Sequence, residues 1–201
     1  MSRDRDVAAF QERAPGYESG WRGRLHHEIA DRTASLALTR VPLPGRILDV
    51  GCGTGYLLRQ LARRCPGAVE LAGIDAAPAM VEAAQREAGD PRLSFRLGAA
   101  ERLPWGPERF GLVVSTTSFD HWVDQQTGLR ECLRVLTPGG TLVLVDQFSL
   151  WLAPTLLGSR SGKARTKGRA SRLLTTAGFG SLEWHDLYAV IIRAVTAVKP
   201  G

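Results

Sequence analysis

The sequence predicts an α/β fold: a doubly wound, mostly parallel, seven-stranded sheet whose last two strands form an antiparallel hairpin. Three observations point to it. Apolar runs bounded by glycine and proline alternate with stretches of helical period, the pattern of parallel strands joined by crossover helices. The first strand-like run ends in "DVGCGTG", with glycines at 51, 53 and 55, and passes directly into a helical stretch. The last two runs, "SLEWHDLY" and "VIIRAVTAV", have no helix between them, so they are expected to pair antiparallel at one sheet edge.

Taken in order, Val7–Arg13 and Arg24–Leu38 read as helices separated by the glycine-punctuated "APGYESGWRG". Strands are expected at Arg46–Val50, Val69–Ile74, Leu93–Leu97, Leu112–Ser115 and Thr141–Asp146. Helices fit Tyr56–Arg64, Pro78–Glu87 and Gln125–Leu136 between them. The last has Leu129, Cys132, Leu133 and Leu136 at helical spacing, and "TPGG" stops it. A short helix then ends near Ala177, ahead of Gly178, and leads into the hairpin. With no internal repeat and no linker, residues 1–201 are expected to form one domain.

Composition sets the outer bounds. A chain of 201 residues with 44% hydrophobic and 23% charged residues is that of an ordinary globular protein. Its apolar runs are too short to span a bilayer, and the start lacks the apolar core of a signal peptide, so a cytoplasmic location is expected. Cys52, Cys65 and Cys132 include no C-x-x-C pair, which argues against a disulfide framework or a zinc site. The four histidines show no ligand spacing, and no metal is expected. The net charge of +6 is localised. Arg160 to Arg172 holds six basic residues (Arg160, Lys163, Arg165, Lys167, Arg169, Arg172) and no acid, and the other 20 basic residues balance the 20 acidic ones. Nothing else on the chain calls for nucleic acid.

In a doubly wound sheet, ligands sit at the carboxyl ends of strands near the switch point. Gly51 to Gly55 would lie there, bringing bare backbone and exposed N–H groups close to a ligand. Asp75, ending the next strand, suits the two hydroxyls of a ribose. The spacing G-x-G-x-G differs from the dinucleotide fingerprint G-x-G-x-x-G, and the loop lacks a Walker lysine. A nucleoside without phosphates fits better, its positive end held near Asp49.

On these residues the chain resembles the class I methyltransferases that use S-adenosylmethionine. It is most similar to the small-molecule branch that includes ubiquinone and menaquinone C-methyltransferases. The likeness runs from about Arg46 to Asp146 and implies a Rossmann-like core over 45–201, with an N-terminal helical lid over 1–40. "ILDVGCGTG" matches the first motif of that family, which implies that Gly51, Cys52, Gly53 and Gly55 surround the methionine and ribose of the cofactor. Asp75 and Ala76 stand where the family binds the ribose, and Met80 where an apolar side chain packs on adenine. "GAAERLPW" resembles the adenine-reading segment, placing Ala99, Ala100 and Glu101 at the base. Ala99 replaces the usual aspartate, leaving Glu101 or a backbone carbonyl to take its contact. Gly111 replaces an aspartate common after Phe110, which reads as a structural change at a strand start.

"STTSFDHWVD" follows the fourth strand, where the family faces the transferred methyl. Ser115 and Thr116 are expected to touch the cofactor through their backbone, and Asp120 and His121 are candidates for a general base and its orienter. The competing reading has Asp120 capping a turn and His121 shaping the pocket. Tyr17 is a candidate lid contact, and His26 and His27 read as packing or solvent-facing. Cys52 reads as a small packing residue, since no activating base adjoins it. The implied activity is methyl transfer from S-adenosylmethionine to an oxygen, nitrogen or carbon of a small-molecule acceptor. The alternatives are an RNA methyltransferase using residues 160–172 and a catalytically inactive partner subunit that keeps the cofactor fold. The basic segment reads as a solvated loop or as a cap attracting an anionic acceptor. Oligomeric state is not legible.

Overall fold

The computed structural model describes residues 20–148, 166–189 and 191–201 of the 201-residue chain. The expected helix Val7–Arg13, Tyr17 and the basic residues Arg160, Lys163 and Arg165 lie outside the described residues. The elements run α1 (Gly20–Arg40), β1 (Arg46–Val50), α2 (Tyr56–Arg64), β2 (Glu70–Asp75), α3 (Pro78–Arg86), β3 (Leu93–Leu97) and β4 (Phe110–Thr116). A short 3-10 turn (Phe119–His121) follows, then α4 (Gln125–Val135), β5 (Leu136–Gln147), α5 (Lys167–Ala177), β6 (Gly180–Tyr188) and β7 (Ile192–Val198).

The seven strands form one sheet in the order β3-β2-β1-β4-β5-β7-β6. β1 to β5 pair in parallel, and β7 pairs antiparallel with both β5 and β6, which places the expected hairpin at the sheet edge. The chain winds outward from β1 to β3, then returns to lay β4 on the other side of β1. The crevice at that reversal opens above the carboxyl ends of β1 and β4.

Neighbouring strand residues point to opposite faces, so Ile47 and Leu48 are both buried but in different cores. Ile47, Leu58, Leu61, Leu71 and Val143 pack under α1, α2 and α3. Leu48, Ile74, Phe110, Leu129, Leu142 and Leu174 pack under α4 and α5. Helices on both faces leave the inner parallel strands β1, β4 and β5 largely apolar on both sides, as their sequences read.

Several boundaries differ from the sequence reading. α1 begins at Gly20 and takes Trp21 into its first turn, where that ring is 64% exposed. β4 starts at Phe110, with a register irregularity between Phe110 and Leu112 that brackets Gly111. α4 stops at Val135, and β5 already begins at Leu136 and runs through "TPGG". There Gly139 takes φ 74° and donates its N–H to Lys199 O at 2.9 Å, so the turn residues are absorbed as an irregular strand start. Finally, Lys167, Arg169 and Arg172 belong to α5 rather than a loop. Thr166 Oγ1 caps that helix by accepting the Arg169 N–H, and the Lys167 ammonium lies 5.4 Å from the centre of the Trp184 ring.

Candidate functional site

The glycine loop between β1 and α2 forms the floor of the crevice. Gly51, Gly53 and Gly55 have φ of 78°, 52° and 79°, a region that side chains other than glycine enter at a cost. They answer to different demands. A Cβ on Gly51 would run into the Ser118 side chain, and one on Gly55 would meet the Phe95 ring at 2.6 Å. A Cβ on Gly53 would meet nothing within 4 Å. Gly51 and Gly55 are therefore small for packing, whereas Gly53 keeps open space on the cavity side.

The expectation that the loop exposes its N–H groups is corrected. Gly51 and Cys52 both donate to Ile74 O (2.8 and 3.1 Å), Gly53 donates to Asp75 Oδ2 (2.9 Å), and Gly55 donates to Cys52 O (2.9 Å). So sharp a bend turns the first three donors inward on β2 and the fourth back onto the loop itself. The loop offers close approach and shape rather than free donors.

Two cavities share this floor. The first lies above β2 and β4, walled by Asp75, Ala76, Met80, Ala99, Ala100, Glu101 and His121, among others. The second lies between the loop and α1, walled by Asp49, His26, His27 and Tyr56. Gly51, Gly53, Thr116 and Thr117 line both, so the two compartments adjoin. The His27 and Tyr56 rings stack at 3.8 Å, fastening α1 over the second compartment, which bears out a packing role for His27.

Asp75 holds the centre. Its Oδ2 accepts the Gly53 N–H and its Oδ1 accepts the Ala77 N–H, each at 2.9 Å, leaving lone-pair capacity on both oxygens for further donors. Burial pushes its pKa up, against the opposing pull of those backbone donors. Asp49 is only 2% exposed, and its Oδ1 has no hydrogen-bond partner. Burial, with the nearby charge of Asp75, pushes the Asp49 carboxyl up to about 8. The Thr116 hydroxyl is likewise buried without a partner. Orphaned buried polar atoms on a cavity wall are what a polar ligand would satisfy.

Four expected site residues play other parts. Ser115 is fully buried and off both cavity walls, its hydroxyl 2.9 Å from that of Ser118. Cys52 stands on the wall of the second cavity but packs its sulfur into the core behind the loop, where burial raises its pKa well above the ordinary thiol range, in keeping with a packing residue. Glu101 lines the first cavity, but its Oε1 accepts the N–H groups of Val123 (2.6 Å) and Asp124 (3.1 Å), tying the segment after β4 in place. Asp120 is behind the wall rather than on it. Its Oδ1 stands 3.1 Å from His121 Nε2, and only His121 faces the cavity. The pair is real, with histidine in front and aspartate behind.

Sequence reasoning missed Thr117, Ser118, Trp122 and Val123 on the first wall. The Ser118 hydroxyl donates to Val50 O at 3.0 Å and accepts the Trp122 Nε1–H at 3.3 Å. Thr117 holds φ 52°, a strained setting for a β-branched residue, with its N–H on Val145 O at 2.8 Å. The run of hydroxyls in "STTS" was the available signal. Among the described residues, no group of three or more His, Cys, Asp or Glu side chains is placed to hold a metal, and no helix is long and apolar enough to cross a membrane.

The methyltransferase domain family matches residues 47–140. A demethylmenaquinone methyltransferase of Deinococcus radiodurans is 38% identical over 133 residues, covering 65% of this chain and 51% of that protein. A trans-aconitate 2-methyltransferase of Methylobacterium radiotolerans is 36% identical over 130 residues, covering 62% of this chain and 48% of that protein. The chain spans about half the length of these curated relatives. Among solved structures, a chain from the complex of the Haloferax volcanii Trm112 methyltransferase activator with a methyltransferase superposes with a TM-score of 0.78 at 22% identity. That match covers 96% of this chain and 98% of the other, and it establishes the fold.

Proposed function

We propose that the protein, whose residues 47–140 match the methyltransferase domain family, transfers a methyl group from S-adenosylmethionine to an oxygen, nitrogen or carbon nucleophile of a small-molecule acceptor. The observation that supports it most is the pair of adjoining compartments joined at Gly53, with an aspartate in each. Asp75, backed by Ala76, would take the ribose hydroxyls, with Met80, Ala99 and Ala100 forming an apolar slot for the base. Asp49, with its unpartnered oxygen, would take the ammonium of the methionine portion, and Thr116 its polar neighbour. An acid on the ammonium side and an apolar slot on the base side suit a cationic nucleoside rather than a phosphorylated one.

The bound cofactor supplies a methyl group already activated on a sulfonium. The protein's share is alignment and exclusion of water. Thr117, Ser118 and His121 crown the first compartment, and α1 closes the second, so an acceptor would enter between them. His121, backed by Asp120, is placed to receive a proton where the acceptor must lose one. Where the acceptor is already a good nucleophile, the same ring serves as a wall.

The small-molecule reading is favoured over RNA because the two relatives above are named for small-molecule acceptors. It is favoured over an inactive partner subunit because the polar groups of both compartments are intact despite Ala99. An anionic acceptor steered by residues 160–172, a single domain with the N-terminal segment including Tyr17 as lid, and a cytoplasmic location consistent with three unpaired buried cysteines complete the proposal.

The test is calorimetry with S-adenosylmethionine and S-adenosylhomocysteine, followed by a methyl-transfer assay on reduced naphthoquinones, reduced benzoquinones, trans-aconitate and bulk tRNA. Saturable binding of both nucleosides with transfer to a small molecule supports the reading. Transfer to tRNA alone would replace it, and binding without any transfer would favour the partner-subunit alternative.

A further inference from the structure

Asp146, at the end of β5, is 5% exposed, and nothing in the sequence pattern assigned it to the site. Its Oδ1 accepts the Gln147 N–H at 2.7 Å, and its Oδ2 reaches across to accept the Asp120 N–H at 3.1 Å. Burying a carboxylate is costly unless its oxygens find donors. Here one of those donors is the backbone of the residue that abuts His121.

The turn it ties is short. Phe119–His121 is a three-residue 3-10 helix, whose hydrogen-bond geometry is intrinsically poor, so its position depends on outside ties. Two are visible at the backbone. Gln125 Nε2 holds the Phe119 carbonyl at 2.9 Å, and Asp146 holds the Asp120 N–H. Between them stands the Asp120 carboxylate, 3.1 Å from His121 Nε2. An aspartate bonded to one ring nitrogen makes that nitrogen the N–H donor and the other, Nδ1, the basic one.

We infer that Asp146 is a positioning residue for the transfer reaction. It anchors the backbone of Asp120, whose carboxylate in turn fixes the orientation and tautomer of His121. The inference rests on the reading of His121 as the group that meets the acceptor. The chain of contacts links β5 to the cavity wall through two carboxylates and one peptide N–H, and β5 is among the most deeply buried strands of the sheet. A rigid strand is a better support for a reacting ring than the loop that bears it.

The experiment reads the ring itself, without cofactor or acceptor. In alkaline solution the His121 Nε2–H proton, assigned by its loss in His121→Gln, is expected as a downfield resonance protected from solvent exchange. Asp146→Asn is expected to remove or broaden it, as Asp120→Asn does, while amide resonances of β1 to β3 stay in place. An unchanged His121 resonance in folded Asp146→Asn overturns the inference, as does its absence from the unmodified protein. If Asp146→Asn does not fold, amide exchange in the unmodified chain decides. An Asp120 amide protected at least tenfold over a free peptide supports the tie, and one that exchanges at the free-peptide rate overturns it. Failure of S-adenosylhomocysteine to bind would sink the functional proposal separately, since none of these signals depends on it.

Discussion

The Ser118 side chain occupies the space that a Cβ on Gly51 would need. Its hydroxyl also bonds the Val50 carbonyl at 3.0 Å and meets the Ser115 hydroxyl and the Trp122 ring N–H. The loop after β4 is thereby buttoned onto the loop after β1, across the reversal point of the sheet. This is why both cavities share Gly51, Gly53, Thr116 and Thr117 as walls.

Gly51→Ala is accordingly expected to destabilise the fold. The left-handed backbone alone costs about 1–2 kcal/mol for a side-chain-bearing residue, and the clash with Ser118 adds to it. A thermal melt should show the loss. The double variant Gly51→Ala with Ser118→Gly should recover the clash but not the strain, and no recovery would mean the buttoned contact is not the obstacle.

Gly53→Val separates binding from folding. Its Cβ meets open space, so the sheet should survive with a penalty near the same 1–2 kcal/mol of backbone strain. The branched side chain would fill the passage between the compartments, and calorimetry should show S-adenosylhomocysteine binding abolished. Normal binding would place the ligand elsewhere.

The contrast between these glycines shows how far the sequence could be read. Strand β1, strand β3 and helix α2 end where the sequence says, because apolar runs there are cut by glycine or by a change of period. Strand β5 does not begin where "TPGG" suggests. Pairing of Leu136 with Phe110, and of Gly139 and Gly140 with Lys199, overrides a local breaker with contacts far along the chain. The site divides in the same way. Asp49, Gly53, Asp75 and Met80 are fixed by position on a strand end or helix start and were legible. The roles of Ser118, Glu101 and Asp146 depend on which loops meet across the sheet, and no local pattern encodes that meeting. The inward-turned N–H groups of the glycine loop were misread for that reason too, since their acceptors are Ile74 and Asp75 on a neighbouring strand.

Asp75→Ala should weaken S-adenosylmethionine binding by about 3 kcal/mol, roughly a hundredfold, through loss of charge-assisted bonds to the ribose hydroxyls. It also frees the Gly53 and Ala77 N–H groups, so a modest drop in melting temperature should accompany it. Titration calorimetry on the folded variant provides the check, and unchanged affinity would remove the ribose assignment.

Arg92 offers a prediction remote from the site. Its guanidinium donates to the carbonyls of Ala62, Cys65, Pro66 and Ala68, closing the C-terminal end of α2, and it pairs with Asp90. Arg92→Met keeps the aliphatic stem but strands those carbonyls, and is expected to destabilise the fold. Denaturant unfolding should register this, with S-adenosylhomocysteine affinity unchanged. A loss of affinity instead would tie α2 to the site more closely than the contacts indicate.

Asp49 makes binding and stability depend on pH in opposite ways. In the folded chain its carboxyl is pushed up to about 8, against an ordinary value of 3.8, by burial first and by Asp75 second. Between those values the folded chain holds a proton that the unfolded chain has lost. This contribution to stability is therefore fully present below about pH 4 and is lost as pH rises through 8. Binding runs the other way, because a ligand ammonium selects the carboxylate. Below pH 8, uptake of S-adenosylmethionine must expel the Asp49 proton, so affinity should fall by up to about tenfold for each unit of acidification. Above that pH the α-amino group of the ligand, near 7.7–8.0 in peptides, gives up its own charge and affinity should decline again. Calorimetry at about pH 6.5 in two buffers of different ionisation enthalpy should reveal close to one proton released per ligand bound. Asp49→Asn removes the titrating group while keeping its shape, and should flatten the acid limb and abolish the proton release. A variant that still releases the proton would assign it to another group on these walls, where His26, His27, Asp75, Glu101 and His121 are among the titratable side chains.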